Sequence, residues 1–416
     1  MAQEFLERLF PVFRIPAYRW MWGSSFLSSS GFISFTLVQG WLILDISGSP
    51  LMVGLAPALS GIASLAVSPW GGVLADRLDR RRVLIFCQLL SASILLCLGL
   101  LAITGLIQVW HILLLAPFQG INMGLQWPVR GSLMYDLVGR RAVMNAMAGQ
   151  FLAFHGASVI GSFAAGFLLE AFGPGPVFLG VSGLMFLAAA LLTRLPHTPR
   201  TPARAVSLWQ DFQEGLGFAL HDRPVRAVLG VILVTETLGF SSRAMLPVVA
   251  RDLLHAGPSV LGLLSTLWAV GGVTATLGLS SIGHIRARGW VFIVAASGFG
   301  VLLLLFSFSR SLPLSLALLF LAGSFGAIYD TMDNTLLQTL SPDAMRGRVM
   351  GLYGVLTSGF SLGALLMGAL ASAFGVTTAI AAGGGAVSAN ALRAIPAARL
   401  IGERSAAEPE AAPPAT

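Results

Sequence analysis

The chain has 416 residues, of which 56% are hydrophobic and only 10% are charged, and its mean hydropathy is +0.82. A soluble domain carries about 25% charged residues, so this composition excludes a soluble protein of this size and indicates an integral membrane protein. The net charge of +7 comes from 25 arginines without any lysine. Because the arginines lie in short segments beside apolar runs, they indicate membrane topology rather than nucleic-acid binding.

The first half of the chain contains enough apolar sequence for six membrane crossings of about 30 Å each. Residues 83–129 carry no charge, and they are too long for one crossing, so a break is predicted near Thr104-Gly105. Charged segments at 72–82 and 130–141 are predicted to be inner loops. The six predicted spans are 20–44, 51–75, two within 83–129, 142–169 and 171–193.

A polar, Pro-rich segment separates this half from a second one. After it, residues 207–221 place Leu208, Phe212, Leu216 and Leu220 at four-residue spacing, which predicts an amphipathic helix at the membrane surface. The second half again predicts six spans: 227–250, 260–283, 290–309, 312–329 and two within 349–392, with a break near Gly375. The tail from residue 402 is rich in Ala, Pro and Glu and is expected to be disordered.

An internal repeat relates the two halves. A shift of about 208 residues places Gly54 on Gly262, and a shift of about 206 places Val143-Met144 on Val349-Met350. The predicted fold is therefore an all-α membrane protein with twelve transmembrane helices in two parallel six-helix bundles. The predicted divisions are a first bundle at 1–195, a linker at 196–224, a second bundle at 225–401 and a tail at 402–416.

Arginine placement predicts the orientation. With both termini in the cytoplasm, 22 of the 25 arginines fall on the cytoplasmic side, and the opposite orientation would invert this bias. The predicted location is the bacterial cytoplasmic (inner) membrane, crossed many times.

The turn after the second span has the form Gly-x-x-x-Asp-Arg-x-x-Arg-Arg-Arg at residues 72–82. It resembles the loop motif of the major facilitator superfamily, which usually has glycine where this chain has Asp79. Segments 48–55, 74–82 and 346–353 resemble the bacterial exporter branch that includes the enterobactin exporter and macrolide efflux proteins. The resemblance implies a gate in which the acid locks the outward-facing state; the alternative is an arginine cluster that only fixes topology. The gating candidates are Gly72, Asp76, Arg77, Arg80 and Arg81.

The fifth predicted span contains Gly156, Gly161 and Gly166. It resembles the glycine-rich helix of facilitator-type exporters, although Ser162 stands where that motif usually has proline. The resemblance implies export rather than import. Packing of small residues between membrane helices is the equally weighted alternative.

Ionisable residues inside a membrane are costly and usually face a cavity. Glu236 lies near the middle of span 227–250, and Arg243 follows two helical turns later on the same predicted face. Glu236 is therefore a candidate proton site tuned by Arg243; the alternatives are one member of a structural ion pair and a buried, hydrogen-bonded acid. Asp330 and Asp333, at the inner end of the tenth span, are further candidates for proton coupling, although pairing with loop arginines is the simpler expectation.

Several polar side chains lie on the predicted first-half spans. As a group they could line a polar cavity for substrate, although each alone is more often an interhelical contact. These candidates are Gln39, Gln119, Asn122, Gln126 and His155. Asp136 is expected to pair with Arg130 and Arg140.

The sequence contains no phosphate-binding loop, no Cys/His/Asp set with metal spacing and no Ser/His/Asp set. We therefore expect no enzyme activity, cofactor or metal. The leading hypothesis is a monomeric, proton-coupled exporter (antiporter) of small, partly apolar compounds such as drugs or siderophores, with the bilayer, protons and the substrate as partners. A metabolite importer or uniporter of the same fold, or a non-transporting membrane sensor, is the alternative.

Overall fold

A computed structural model of the chain describes residues 11–197, 208–282 and 287–396, without the side chains of 69, 71–77, 141, 208–211 and 282. These residues form a short 3-10 helix at Pro11–Arg14, thirteen longer helices and no strand. The helices are α1 (Pro16–Ser47), α2 (Pro50–Arg77), α3 (Arg80–Ile103), α4 (109–138), α5 (140–172), α6 (Pro174–Leu192), α7 (Leu208–His221), α8 (Arg223–Leu253), α9 (Pro258–Ile282), α10 (Arg288–Phe308), α11 (Leu312–Leu340), α12 (Asp343–Phe374) and α13 (Val376–Arg393).

Ten of the described helices are long and apolar enough to cross a membrane, namely all except α4, α7 and α13. The other two long helices complete the bundles: α4 packs on α2 and α3, and α13 packs on α10 and α12. Six long helices therefore precede the linker helix α7 and six follow it. The predicted all-α membrane fold is confirmed.

Glycine makes the turns at one end of the bundles. Gly105 and Gly375 have φ angles of 72° and 85°, a left-handed region that other residues rarely adopt, and each ends a helix where a break is predicted. The other end of the bundles carries the turn at 78–79, the kink at Gly139 and the linker helix, and we call it the arginine-rich end. We call the end that carries Gly105 and Gly375 the opposite end.

Three predicted boundaries at the arginine-rich end are wrong. Helix α2 remains helical to Arg77, so the turn at 72–82 is reduced to residues 78–79. Helix α4 runs through most of the predicted loop 130–141, and only Gly139, with φ 71°, leaves the helical region. Helix α11 ends at Leu340, eleven residues beyond its predicted end at residue 329. In each case the predicted span ends at a charged residue, whereas the helix continues through that residue.

The two halves meet through pairs of close-packed helices, α2 with α12 and α5 with α9. Gly54 on α2 lies against the backbone of Ala364, and Gly262 on α9 lies against Gly166. The internal repeat equates Gly54 with Gly262, and both indeed contact the facing half. Small residues let the backbones approach at these two symmetry-related positions.

The described contacts between the halves lie toward the opposite end. Arg251 on α8 donates to the carbonyl oxygen of Leu44 on α1 at 2.7 Å. The backbone N–H of Ser259 donates to the carboxylate of Glu170 at 2.8 Å. Among the described side chains, which do not include those of 71–77, no hydrogen bond or ion pair joins the halves at the arginine-rich end.

The amphipathic linker helix is observed as α7. Glu214 on it pairs with Arg348 on α12 at 2.9 Å, and Gly215 packs on the same arginine. Leu216 and Leu220 are exposed, as expected for a helix that lies on a membrane surface. Residues 1–10 and the tail from 402 lie outside the described residues.

Candidate functional site

Three carboxylates converge between α8 and α11 in the second half. Oxygens of Glu236, Asp330 and Asp333 lie within 4.8 Å of one another. Glu236 and Asp333 are buried, at 8% and 0% exposure, whereas Asp330 is exposed although it lies well inside its helix. An exposed acid at this depth indicates that the cluster borders a polar cavity and not lipid.

The backbone around Glu236 is irregular. Residues Thr235–Gly239 form a π-helical turn, and Phe240–Met245 form a 3-10 turn within the span of α8. Such turns inside longer helices are frequent at functional sites. They also change the helical register, so Glu236 and Arg243 are not held on one face by the regular two-turn spacing that the sequence predicts.

One cation accompanies the three acids. The guanidinium of Arg243 stacks on the ring of Trp268, 5.3 Å from its centroid, and it interacts electrostatically with Asp330 without a direct ion pair. Its side chain is exposed although it lies well inside α8. The expectation that Asp330 and Asp333 pair with loop arginines is wrong, because α11 continues past both and turns them toward Glu236.

An aromatic wall adjoins the acid cluster. Phe240 packs on Trp268 at 6.2 Å and on Tyr329 at 6.1 Å between ring centroids, and Trp268 packs edge-on against Phe299 at 5.6 Å. The hydroxyl of Tyr353 donates to Asp333 at 3.4 Å. This half of the site therefore combines acidic groups with a large apolar surface.

The first half presents a polar face on α4. Gln119, Asn122, Gln126 and Arg130 follow at spacings of three and four residues, which places them on one side of the helix. Ser91 on α3 donates to Gln119 at 2.9 Å and accepts from Asn122 at 2.5 Å. Three of the five predicted cavity residues are therefore gathered along one helix.

The other two predicted cavity residues lie elsewhere. Gln39 is buried on α1, and His155 on α5 is half-buried between the rings of Phe151 and Phe154. The structure does not join either of them to the polar face of α4.

Arg130 is a site residue that the sequence analysis missed. It is predicted in a loop with Asp136, but it is buried inside α4, with 8% of its surface exposed. Asp136 pairs with Arg80 on α3 instead. The recurrence of polar residues at 119, 122, 126 and 130 was the available signal, because it continues the polar face of the helix to the arginine.

The glycines of α5 have different neighbours. A Cβ on Gly161 would lie 2.9 Å from the carbonyl oxygen of Ser30 on α1, within the same half. A Cβ on Gly166 would lie 2.6 Å from the Cα of Gly262 in the facing half. Gly156 has only an ordinary contact, with Phe26. Close packing thus accounts for two of the three, and their significance for export remains a prediction.

The predicted gate is described only in part. The side chains of Gly72, Asp76 and Arg77 lie outside the described residues, so their roles stay predictions. Arg81 donates to the carbonyl oxygen of Thr193 at the end of α6. Together with the Arg80–Asp136 pair, this contact holds the turn against its own half.

Asp79, where the superfamily motif usually has glycine, caps α3. Its carboxylate accepts from the backbone N–H of Arg81 at 3.0 Å and contacts His197 at 2.7 Å. Burial alone would raise the pKa of Asp79, but the bonds from His197 and from the N–H groups of Arg81 and Arg82 outweigh it and hold the pKa below its usual range. Helix capping is therefore a sufficient reason for an acid here.

Comparison with known proteins assigns the family. A family model described as "Transmembrane secretion effector" matches residues 8–412. The chain belongs to this family of the major facilitator superfamily. Among similar proteins, the staphyloferrin A transporter of Staphylococcus aureus is 24% identical over 362 residues, covering 86% of this chain and 90% of that protein. The enterobactin exporter EntS of Citrobacter koseri is 28% identical over 361 residues, covering 85% of each.

Solved structures agree on the fold. The nucleoside transporter NupG superposes with a TM-score of 0.70 at 14% identity, covering 92% of this chain and 98% of that one. A bacterial homologue of the lysosomal transporter Spinster, in an inward-facing and unoccupied conformation, superposes with a TM-score of 0.66 at 15% identity, covering 95% and 97%. At these identities the likeness shows a shared fold and not a shared substrate. The protein is a membrane transporter of the major facilitator type.

Proposed function

We propose that this transporter exports a small, partly apolar compound of the siderophore class across the bacterial cytoplasmic membrane in exchange for protons. The names of two relatives, a staphyloferrin A transporter and an enterobactin exporter, support the substrate class and the direction. The main support for coupling of transport to protons is the cluster of carboxylates formed by Glu236, Asp330 and Asp333.

Charge balance is the reason for assigning protons to this cluster. Three ionised carboxylates within 4.8 Å, beside one guanidinium, would leave two uncompensated negative charges in a low-dielectric site. Such a cluster gains protons readily, and its protons belong to the group rather than to one residue. A hard divalent metal would need six or more oxygen ligands, and the aromatic wall beside the acids supplies few, so protons are the better occupant.

Alternating access connects the cluster to both sides of the membrane. The described polar contacts between the halves lie toward the opposite end, and in the proposed state the halves are open toward the arginine-rich end, which is the cytoplasmic end under the predicted orientation. In this state the cluster faces the cytoplasm and releases protons while substrate enters between the halves. Rocking of the halves would then expose substrate and acids to the outside, where substrate leaves and protons return.

The test uses Glu236→Gln, which keeps the side-chain shape and removes one titrating group. A toxicity panel on cells with and without the gene identifies a transported compound, and proteoliposomes measure its accumulation driven by a pH difference. We expect the variant to lose accumulation against a gradient while downhill exchange survives. The matched control is Asp343→Asn, because that carboxylate is 90% exposed at the start of α12 and lies outside the cluster. Accumulation by Glu236→Gln at the parent level would refute the coupling role.

A further inference from the structure

Among the described residues, Arg130 is a buried cation without an anionic partner. Only 8% of its surface is exposed, and it lies eight residues, or about 12 Å, before the end of α4. Its two hydrogen bonds both leave from Nη2, to Gln126 at 3.2 Å and to Ser28 at 3.5 Å. Nη1 and Nε have no partner in the described structure.

The described side chains around Arg130 include no carboxylate that would balance its charge. Ser28 and Gln126 are neutral, and Ser28 also accepts from Gln88 at 2.7 Å. Among the described titratable groups, the thiol of Cys87 is the one whose charge would act on Arg130, and it is neutral while it keeps its proton. A buried charge that lacks a counter-ion costs several kcal/mol in general, so the site is incomplete as it stands.

Two neighbouring hydrogen-bond acceptors are also left without a partner in the described structure. The side-chain oxygens of Gln88 and Asn122 are buried and have no hydrogen-bond partner. Buried polar groups in proteins are nearly always paired, and here the unpaired ones lie along the same α3–α4 face as Arg130. This face differs from the acid cluster of the second half, where three carboxylates lie near one arginine, Arg243.

We propose that Arg130 is the anion-binding subsite of the transport cavity and that the exported compound carries a carboxylate or another anionic oxygen group that binds this guanidinium. A planar guanidinium offers two parallel N–H donors to such a group, and Nη1 and Nε are the donors left free. The proposal rests on the proposed function for the identity of the cavity and adds the charge of the substrate.

Binding of matched dyes to the full-length protein in lipid nanodiscs tests the subsite. Fluorescein is an anion and rhodamine 6G a cation on the same xanthene ring system, so their affinities by fluorescence anisotropy separate charge from apolar contact. We expect saturable binding of fluorescein below 1 mM, about tenfold or more weaker in Arg130→Gln and intermediate in Arg130→Lys. Rhodamine 6G should bind Arg130→Gln at least as well as the parent.

Arg140→Gln is the matched control, because Arg140 is an exposed arginine on the first turn of α5. It should bind fluorescein like the parent. The thermal midpoint separates a subsite from a structural arginine. Removing an unpaired buried charge should leave the midpoint of Arg130→Gln unchanged or raised, and fluorescein should stabilise the parent but not the variant. A lowered midpoint with unchanged fluorescein affinity would overturn the proposal.

Two further results would also overturn it. One is the absence of saturable fluorescein binding by the parent up to 1 mM. The other is equal stabilisation of the parent by inorganic phosphate alone, which would assign Arg130 to a free ion and not to the substrate. Binding of fluorescein that depends on Arg130, without transport driven by a pH difference, would support the subsite and count only against proton coupling.

Discussion

The glycine contact between α5 and α9 allows a specific test of alternating access. In Gly166→Ala the new Cβ would lie 2.6 Å from the Cα of Gly262 and 2.8 Å from the carbonyl oxygen of Pro258. Both neighbours are backbone atoms, so no side chain can turn away to make room. Since carbon atoms pack at about 3.5–4.0 Å, the two helices must separate by about 1 Å.

The cost applies only while the opposite end is closed. Overpacking of this kind costs about 1–3 kcal/mol. When the halves separate at this end, the methyl group has no clash, and alanine is a better helix former than glycine. The ratio of the two conformations should therefore shift by about 5–150-fold toward the state open at the opposite end.

Spin-label distances across the opposite end measure the shift. Leu106 in the first half and Phe374 in the second are both exposed there and can be replaced by cysteine after Cys87 and Cys97 are changed to alanine. We expect a longer distance to become populated in Gly166→Ala. Gly180→Ala on α6 is the control, because a Cβ at Gly180 meets nothing within 4 Å.

Two results would refute this reasoning. If the distance distribution of Gly166→Ala equals that of the parent, the contact does not change between conformations. If the thermal midpoint falls while the distances remain the same, the glycine serves packing stability alone.

Further predictions concern topology, the gate and the cap of α3. A reporter fused after Ser309 should behave as periplasmic and one fused after Arg200 as cytoplasmic, and the reverse at either position would contradict the arginine bias. Asp76→Asn should insert normally but transport more slowly, because a change of about 1.4 kcal/mol alters the ratio of the two states tenfold; transport at the parent rate would leave topology as the role of the motif. Asp79→Ala should cost about 1 kcal/mol of stability through loss of the cap. Because the folded-state pKa of Asp79 is lowered, its contribution is present above the unfolded pKa and is lost as pH falls through the folded one, so the difference in thermal midpoint should persist from pH 7 to pH 5 and shrink only below about pH 4. A constant difference down to pH 2 would contradict this assignment.

The overall architecture could be predicted because it follows from composition and length. Uncharged runs must cross the bilayer, and a glycine that adopts positive φ ends a helix wherever it occurs, as at Gly105 and Gly375. The internal repeat even identified two positions, Gly54 and Gly262, that both contact the facing half. These signals are local or periodic, so they survive without tertiary information.

The candidate site could be predicted only in part, because charge has two meanings in a membrane protein. Arg130, Asp330 and Asp333 were each used to end a span, although all three lie inside helices. A charge beside water and a charge beside a polar cavity look alike in a sequence, and only the packing of other helices distinguishes them.

The prediction that Glu236 and Arg243 share one face of their helix failed for a different reason. Spacing of seven residues places two side chains on one face only of a regular α-helix. The π-helical and 3-10 turns of α8 break that rule between Glu236 and Arg243. The partners of Glu236, on α11, are about ninety residues away in the sequence and could not be found from local spacing.

In the proposed transport cavity the first half contributes a positive charge and the second half contributes negative charges, so the membrane potential should help to drive the exchange. An arginine without a described counter-ion lies on α4 in the first half, and an acid cluster with a single described arginine beside it lies on α8 and α11 in the second half. If an anion leaves while a proton enters, both movements carry charge in the same sense, so at least two elementary charges cross per cycle. Each charge contributes about 2.3 kcal/mol per 100 mV. At 100 mV two charges therefore give about 4.6 kcal/mol, which corresponds to more than a thousandfold in the substrate gradient.

Proteoliposomes with a potassium diffusion potential set by valinomycin should therefore transport fluorescein faster when the potential attracts the exchanged protons, even without a pH difference. Exchange of the rhodamine 6G cation for one proton moves no net charge and serves as the control. If neither sign of potential changes the fluorescein flux, the exchange is electroneutral and the opposite charges of the two walls do not serve anion–proton antiport.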